Sequence, residues 1–190
     1  MAIILASGSP RRQELLTKMG LEFEVRVPRV KEEYSLRDSP REIVWKLASQ
    51  KAFAVAVEAT PDDVIIAADT IVVLDGRVMV KPKDAADAKR MLRALSGKSH
   101  RVLTAFTVIR GVENHTRVDE TQVVFRNLSD REIDLYIATG EALDKAGAYA
   151  VQGEGAQLIS AIHGDYYNVV GLPIGHLASM LHRFGVAVGL

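Results

Sequence analysis

Hydrophobic and polar positions along the first part of the chain follow two patterns, one typical of buried strands and one typical of amphipathic helices. Ala2 to Ala6 predicts a short buried strand. A helix then runs from Pro10 to about Met19, with Ser9 as its N-cap and Gly20 as its C-terminal cap. Phe23 to Val27 alternates like a second strand, so the chain opens with a strand, a helix and a strand.

The next stretch predicts a long helix and a hairpin. Ser39 to Glu42 has the spacing of a capping box and opens a helix that ends before Pro61. The β-branched apolar run Val64 to Ala68 is typical of a strand covered on both faces, and the polar pair Asp69-Thr70 halts it. A hairpin with a type I′ turn follows, whose strand, turn and strand are Ile71 to Leu74, Asp75-Gly76 and Val78 to Val80.

The second half of the chain predicts two more strands and three helices. The strands are His100 to Ile109 and Thr116 to Phe125, and the helices are Asp84 to Leu95, Ser129 to about Thr139, and Pro173 to Phe184. The segment Gly147 to Gly155 carries three glycines, which favours a shaped loop over a regular element. The pattern contains no repeat and no linker.

Composition limits what these elements can build. The chain has 190 residues, of which 48% are hydrophobic and 25% charged, enough for one globular domain or two tightly joined lobes. Lys and Arg total 24, and so do Asp and Glu, so no global positive field would attract nucleic acid or an anionic membrane. Any anion site must therefore be local.

Cysteine usage and apolar run lengths indicate where the protein works. Without cysteine there is no disulfide framework and no thiolate zinc site. The apolar run at residues 1–6 is too short for a signal peptide, and no stretch approaches the roughly 20 apolar residues that span a bilayer. We therefore expect a soluble cytoplasmic protein that contacts neither membrane nor nucleic acid.

The segment Ser7 to Arg12, with sequence SGSPRR, carries small residues and two arginines at a strand-to-helix turn. At such a turn, free N–H groups and the helix dipole favour an anion. A guanidinium holds phosphate oxygens by a planar two-point contact, so Arg11 and Arg12 point to phosphate more than to a generic anion. The alternative is an ordinary helix start with two solvated arginines. The glycine spacing matches neither the Walker loop nor the dinucleotide fingerprint.

Carboxylates at two places are candidates for metal binding or proton transfer. Asp69 follows the predicted buried strand, where ligands of open α/β sheets tend to lie, and it can bind a divalent metal or take a proton from water. Glu32 and Glu33 lie in a polar loop after the second strand, where one of them could complete a metal site. The alternatives are a loop-capping aspartate and a solvated pair of glutamates.

Two lysines and five histidines complete the candidates. Lys51 lies on the apolar face of the long helix, where a lysine usually extends its ammonium to water, and Lys81 ends a hairpin strand. The histidines show no metal-ligand spacing, so we interpret them as structural or surface residues: His100, His115, His163, His176 and His182.

These motifs together resemble those of the Maf family of nucleotide pyrophosphatases. They occur in that family's order and spacing and cover nearly the whole chain: SGSPRR at 7–12, Ala68 to Val72, Lys81-Pro82, Leu95 to His100, and the run from Asp144 to Pro173. The resemblance implies an α/β fold of the inosine-triphosphatase kind, with a mixed twisted sheet and flanking helices in a single domain over residues 1–190, and two lobes around a cleft. It also implies a homodimer and a metal-dependent hydrolysis of a nucleoside triphosphate to the monophosphate and pyrophosphate.

Positions that match the family's motifs carry its functional residues over to this chain. The serines of the first loop fall on Ser7 and Ser9, the phosphate-binding arginines on Arg11 and Arg12, the two lysines on Lys51 and Lys81, the proton acceptor on Asp69, and an acidic metal-site position on Glu32. The family usually has an acidic residue just before that glutamate, whereas this chain has Lys31.

At three positions the chain resembles the branch of the family that acts on dTTP and UTP, and the residues there are Arg12, Thr70 and Gln152. The branch that acts on 7-methyl-GTP has an aromatic residue in the first motif and glutamates at the other two positions. The Gln152 amide offers one acceptor and two donors, so it can accept the N3–H of uracil or thymine while it donates to a ring carbonyl. The same amide turned over could face cytosine, so CTP stays open.

The mechanistic hypothesis is that Mg²⁺, or else Mn²⁺ or Co²⁺, is held by Asp69 and Glu32 on the triphosphate oxygens while water attacks the α phosphorus. The four cationic side chains neutralise the leaving pyrophosphate. Whether Asp69 is the base or a metal ligand stays open. One alternative function is a nucleotide-binding regulator linked to cell division, which recognises its ligand without hydrolysing it. Another is the same chemistry with a purine preference, against which Thr70 and Gln152 argue.

Overall fold

The computed structural model describes residues 1–35 and 37–189 and has a mixed α/β fold. The strands are β1 (Ile3–Leu5), β2 (Glu24–Val25), β3 (Val64–Leu74), β4 (Arg77–Met79), β5 (Ser99–Arg110), β6 (Glu113–Phe125) and β7 (Ile159–His163). The helices are α1 (Pro10–Lys18), α2 (Pro40–Ala56), α3 (Ala85–Leu95), α4 (Asp130–Ala138), α5 (Tyr166–Val170) and α6 (Ile174–Arg183). Two short 3-10 helices lie between α4 and β7, at Ala146–Ala148 and Gly153–Leu158.

The strands form one seven-stranded mixed sheet with flanking helices, which confirms the predicted fold class. Its order is β2-β1-β3-β5-β6-β7, and β4 pairs with β3. The first strand is parallel to both β2 and β3, whereas β4 and β7 are antiparallel to their partners. Leu5 pairs with Ile66, and the two strands are parallel. The segment from Ser7 and the part of β3 that carries Asp69 therefore leave these paired residues in the same direction.

The chain divides into two compact units. Unit 1 comprises Met1–Asp69, Thr104–Asp119 and Gly171–Leu190, and unit 2 comprises Thr70–Leu103 and Glu120–Val170. The expectation of a single domain over residues 1–190, with two lobes around a cleft, stays a prediction.

The core of unit 1 joins α2 to the sheet. Its members come from β1 and the residue after it, and from α2, β3 and β5, and they are Ile4, Ala6, Ala52, Val55, Ile65, Ala67 and Ile109. Alanines on both sides of this contact let the helix approach the strands closely, because a methyl group is the only side-chain bulk between the backbones. The packing fixes the position of Lys51, whose chain neighbour Ala52 is fully buried in this core.

In unit 2, α3 packs against α4 and against the turn at Ala146–Ala148. Apolar residues recur along α3 at helical spacing and are buried: Ala88, Met91, Leu92 and Leu95. Ile133 and Tyr136 are the buried residues of α4. This packing supports the segment that carries Gln152.

Several local predictions are confirmed by backbone and cap geometry. Ser39 and Ser129 both form capping boxes with the glutamates three residues later. Asp75 and Gly76 have φ values of 49° and 78°, the positive pair that a type I′ turn requires. Gly20, with φ 71°, follows α1 as a left-handed residue.

Other local predictions are wrong. Asp69-Thr70 do not halt the buried strand, because β3 continues through them to Leu74 and pairs with β4 over its last residues. The predicted strand Phe23–Val27 shortens to Glu24–Val25, whose side chains are both exposed and bury no apolar face. The sequence pattern also misses β7 and α5.

None of the helices within the described ranges combines the length and apolarity that a membrane crossing requires.

Candidate active site

Three of the predicted site residues meet in unit 1, around the ammonium group of Lys51. Its Nζ lies 2.8 Å from Glu32 Oε1 and also forms an ion pair with the Asp69 carboxylate. The side chains of Lys51 and Asp69 are only 16% and 13% exposed, whereas that of Glu32 is 49% exposed. One partly buried cation therefore holds two carboxylates, one of which faces solvent. The snorkelling alternative for Lys51 and the purely solvated alternative for Glu32 are both wrong.

Two hydrogen bonds of the Gln50 side chain hold the loop that carries Glu32 beside α2. Gln50, the helix residue just before Lys51, accepts a hydrogen bond from the backbone N–H of Glu33 at 3.0 Å and donates one to its carbonyl at 2.6 Å. These two bonds use both the backbone N–H and the carbonyl of Glu33, and so they tie the loop to the helix. The sequence gives no motif for this role of Gln50, since any residue with an amide side chain at that point could take it.

The Asp69 carboxylate lies on β3 between two buried apolar runs. The residues before it, from Val64 to Ala68, are at most 2% exposed. Because the strand is so firmly packed, Asp69 has a fixed direction, and Lys51 supplies the charge that its partial burial demands. The alternative that Asp69 caps a loop is therefore wrong, since Asp69 is a strand residue with an ionic partner.

The first-motif segment holds Arg12 in place with neutral acceptors. Arg12 Nε donates to the carbonyl of Gly171 at 2.9 Å, and Nη1 donates to Ser7 Oγ at 3.3 Å. Ser7 Oγ also accepts from the backbone N–H of Ser9 at 3.2 Å. Ser9 occupies the N-cap of α1, but its side chain makes no capping hydrogen bond there. The role of Gly171 could not be read from the sequence, because a backbone carbonyl carries no side-chain signal.

Electrostatic effects link the arginines to Asp69. Loss of solvent lowers the pKa of Arg12, the Asp69 charge raises it, and the Arg11 charge lowers it. Arginine stays protonated at neutral pH in any protein environment. Two guanidiniums and one ammonium against the two carboxylates of Asp69 and Glu32 leave one net positive charge in this group. Such a group is suited to a polyanion.

The donor set fits a divalent cation that is shared with a substrate. Magnesium is commonly held by one or two carboxylates together with phosphate oxygens and water. Asp69 and Glu32 already converge on one positive centre, the Lys51 ammonium. Within the described residues, no group of three or more His, Cys, Asp or Glu side chains could hold a metal by itself. The protein would therefore supply only part of the coordination shell.

The other three predicted residues, Thr70, Lys81 and Gln152, belong to unit 2. Thr70 is a partly buried residue of β3, and Lys81 is exposed in the loop after β4. The backbone N–H of Gly147 donates to the Val80 carbonyl at 3.3 Å, which ties the chain beside Lys81 to the glycine-rich segment. Gln152 lies in that segment and is partly buried.

The glycine-rich segment is shaped by contacts that a larger side chain would break. Gly147 has φ 70°, and a Cβ there would lie 3.0 Å from Val72 Cγ1. A Cβ on Gly155 would lie 2.1 Å from the Ala150 carbonyl oxygen and 2.9 Å from the Tyr136 hydroxyl. The same hydroxyl accepts a hydrogen bond from Ala150 N–H at 3.1 Å. The predicted shaped loop is thus confirmed, with two short 3-10 helices in it.

An aromatic cluster in unit 2 anchors this segment and was not predicted. His100 Nε2 and the Tyr149 hydroxyl are 2.7 Å apart, and both rings pack edge-on against Phe125 with centroid distances of 5.1 and 4.8 Å. Burial lowers the pKa of His100 to about 4 and raises the pKa of the Tyr149 hydroxyl. A neutral imidazole therefore supports the chain three residues before Gln152, as the structural interpretation of His100 predicted.

Proteins of similar sequence extend over nearly the whole chain. A dTTP/UTP pyrophosphatase of Symbiobacterium thermophilum is 52% identical over 186 residues, which cover 98% of this chain and 95% of that protein. A dTTP/UTP pyrophosphatase of Bacillus cytotoxicus is 51% identical over 181 residues, covering 95% of this chain and 94% of that protein. A third, from Bacillus cereus strain ZK / E33L, is 48% identical and covers 98% and 97%.

Solved structures share the fold at much lower identity. The Staphylococcus aureus Ham1 protein aligns with a TM-score of 0.56 at 16% identity, over 96% of this chain and 99% of that chain. A HAM1 protein from Coxiella burnetii aligns with a TM-score of 0.51, also at 16% identity, over 96% and 100%. A family model described as Maf-like protein matches residues 2–184. With almost its entire length matched, the chain belongs to the Maf family.

Proposed function

We propose that this protein hydrolyses dTTP and UTP to the nucleoside monophosphate and pyrophosphate. The observation that carries the proposal is the ion-paired group in which Lys51 joins Asp69 and Glu32, electrostatically linked to Arg12. Relatives named dTTP/UTP pyrophosphatase, at 48 to 52% identity over nearly the full chain, support the same reaction. A modified pyrimidine nucleotide is a further substrate that this proposal includes.

The arginines bind the phosphate chain in this account. Arg12 is held by Ser7 and the Gly171 carbonyl through two of its nitrogens, Nε and Nη1. Such prior positioning saves the cost of ordering a long side chain when substrate binds. Arg11 adds a second positive charge, and Ser9 lies at the start of α1, where backbone N–H groups favour an anion.

The carboxylates act on water and on a divalent cation. Asp69 and Glu32 would hold the cation, Mg²⁺ by preference or Mn²⁺ or Co²⁺, which when bound neutralises charge on the phosphate oxygens. Asp69 orients the attacking water towards the α phosphorus and accepts its proton. Lys51 forms an ion pair with both carboxylates and keeps them in place until substrate arrives. The two roles of Asp69 are alternatives: it either accepts the proton of the water or holds the cation, and Glu32 would hold the cation in both cases.

Unit 2 supplies three further substrate-binding residues in the proposal. Lys81 neutralises charge on the leaving pyrophosphate, and Gln152 accepts the N3–H of uracil or thymine and donates to a ring carbonyl. Thr70 follows Asp69 on β3 and contributes to recognition of the same nucleotides, dTTP and UTP. The glycine contacts around Gln152 keep its backbone in one conformation.

The resemblance to the family supports one proposal about the protein as a whole, and its composition supports another. We propose that it is a homodimer and that it works in the cytoplasm. Sedimentation of the purified chain tests the first, with twice the chain mass expected and a monomer at assay concentration contradicting it. Fractionation of cells that produce the protein tests the second.

A substrate panel tests the reaction. The protein is incubated with dTTP, UTP, CTP, GTP, ATP and modified pyrimidine triphosphates, each with Mg²⁺, Mn²⁺, Co²⁺ or a chelator, and pyrophosphate is measured. We expect release from dTTP and UTP with a divalent cation and none with the chelator. Saturable nucleotide binding without any product would instead identify a sensor, and faster release from purine nucleotides would contradict the base preference.

A further inference from the structure

A second group of cationic residues surrounds a pocket on unit 1 that contains none of the candidate active-site residues. The pocket has a volume of about 480 Å³, within the range of small-molecule sites. Its walls come from the start of α2, from β6 and from α6. Three arginines line it, Arg41, Arg117 and Arg183, and so do two histidines, His115 and His176.

The charge of this pocket is largely uncompensated. Among the residues that the structure describes, no carboxylate lines it. Asp119, just outside, pairs with Arg117 at 2.9 Å and with His176 at 2.8 Å, so three guanidiniums against one carboxylate leave two positive charges. The chain as a whole has 24 basic and 24 acidic residues, so the excess of positive charge is a local property of this pocket.

Some of the cationic groups are already fixed in position. Arg41 donates to the Val118 carbonyl at 3.0 Å, and Arg117 is held by Asp119 and by His176 Nε2 at 3.2 Å. The side chain of Arg183 has no hydrogen bond or ion pair with any residue in the described ranges, so the donors of its guanidinium remain for a ligand. A guanidinium with its donors open is the group that binds phosphate by a two-point contact.

An aromatic surface lies beside these charges. Trp45 lines the pocket from α2 and is 47% exposed, although tryptophan usually buries most of its indole. An exposed ring next to arginines offers a stacking surface for a planar base. Charge and ring together select a ligand with both a phosphate and an aromatic base.

We propose that the pocket lined by Trp45, Arg41, Arg117 and Arg183 is a second binding site, which takes a nucleoside monophosphate. The phosphate lies against the guanidiniums, and the base stacks on the indole. The site needs no divalent cation, because arginines alone supply its positive charge. It is independent of the proposed hydrolysis, since it shares no residue with the candidate active site.

Trp45 is the only tryptophan of the sequence, so its fluorescence reports directly on this pocket. The full chain, in chelator, is titrated with UMP, uridine and orthophosphate while tryptophan emission is followed. We expect a saturable change with UMP, and binding at least about tenfold weaker with uridine or orthophosphate, since each lacks one of the two contacts. No saturable change with UMP, or equal affinity for uridine, would overturn the proposal.

Variants locate the signal. Arg183→Gln should weaken UMP binding at least about tenfold, whereas Arg131→Gln, an exposed arginine of α4 in unit 2, should leave it unchanged. Arg12→Gln removes a cation of the candidate active site, and the Trp45 response should survive it; Arg11→Gln provides the same test if that variant does not fold. A response lost with Arg12→Gln and Arg11→Gln, or retained in a folded Arg183→Gln, would show that UMP acts elsewhere and contradict the second site.

Discussion

Asp69 and Glu32 are brought to one ammonium group although a loop, a helix and a strand separate them along the chain. Motif order was enough to name them, although Lys31 stands before Glu32 where the family usually has an acidic residue. Motif order did not show that Lys51 is their common partner. A lysine on an apolar helical face usually reaches water, and only the folded position of β3 gives this one a partly buried counter-ion.

Replacing Asp69 by Asn separates catalysis from binding. The amide keeps the size of the side chain but neither accepts a proton nor carries charge, so kcat for UTP should fall by roughly 100- to 10,000-fold. Binding of UTP, carried mainly by the arginines, should partly survive. Initial rates and equilibrium binding measure the two effects, with Asp62→Asn, an exposed aspartate of unit 1, as the control. A near-native rate in Asp69→Asn would remove this residue from the mechanism.

Gln152 is the residue at which the base preference is expected to change. In Gln152→Glu the side chain can only accept hydrogen bonds, so it loses the donor to the ring carbonyl of uracil or thymine. We expect kcat/KM for UTP to fall at least about tenfold, the effect of one lost hydrogen bond to a buried polar group. Kinetics on UTP, dTTP and GTP measure it, with Gln157→Glu as the matched control. Unchanged kcat/KM for UTP would mean that Gln152 does not contact the base.

At the scale of elements, the structure differs most from the sequence pattern at β3. A polar pair in the middle of an apolar run normally ends a strand, yet β3 continues because β1 lies parallel to its first half and β4 pairs with its last residues. Capping boxes and the type I′ turn were predictable, since each depends on residues close in sequence. Contacts with distant partners, such as β7 on β6, leave no such local signal.

The buried His100–Tyr149 contact in unit 2 makes the free energy of unfolding depend on pH. The pKa of His100 is about 4 in the folded protein, against an ordinary 6.5. Between these values the unfolded chain binds the extra proton and the folded one does not, so the free energy of unfolding falls as the pH drops from about 6.5 to 4. The loss should approach about 3 kcal/mol at the lower end.

Denaturant unfolding between pH 7 and 4.5 measures this loss in the wild type and in His100→Gln, whose amide can still bond the Tyr149 hydroxyl. We expect the variant to lack this part of the pH dependence. Asp63 and Glu132, whose pKa values backbone and side-chain hydrogen bonds lower to about 2, lose stabilisation mainly below this range. An equal slope in both proteins would contradict a neutral, buried imidazole.

At the scale of the whole molecule, the fold class could be predicted from the sequence, whereas the boundaries between the two units could not. The mixed sheet with flanking helices follows from the family motifs and is confirmed. The two units interleave along the chain, and three of their four boundaries fall inside β3, β5 and β6, where no change of composition marks them. A neutral chain with two local groups of positive charge was predictable only in part, since the motifs pointed to one of them.

The position of bond cleavage tests the central claim most directly. UTP is hydrolysed by the protein with Mg²⁺ in water enriched in the heavy oxygen isotope, and the products are examined by mass spectrometry and phosphorus NMR. Attack of water on the α phosphorus predicts UMP that carries one heavy oxygen, together with unlabelled pyrophosphate. Label in pyrophosphate, or UDP and orthophosphate as products, would contradict the account.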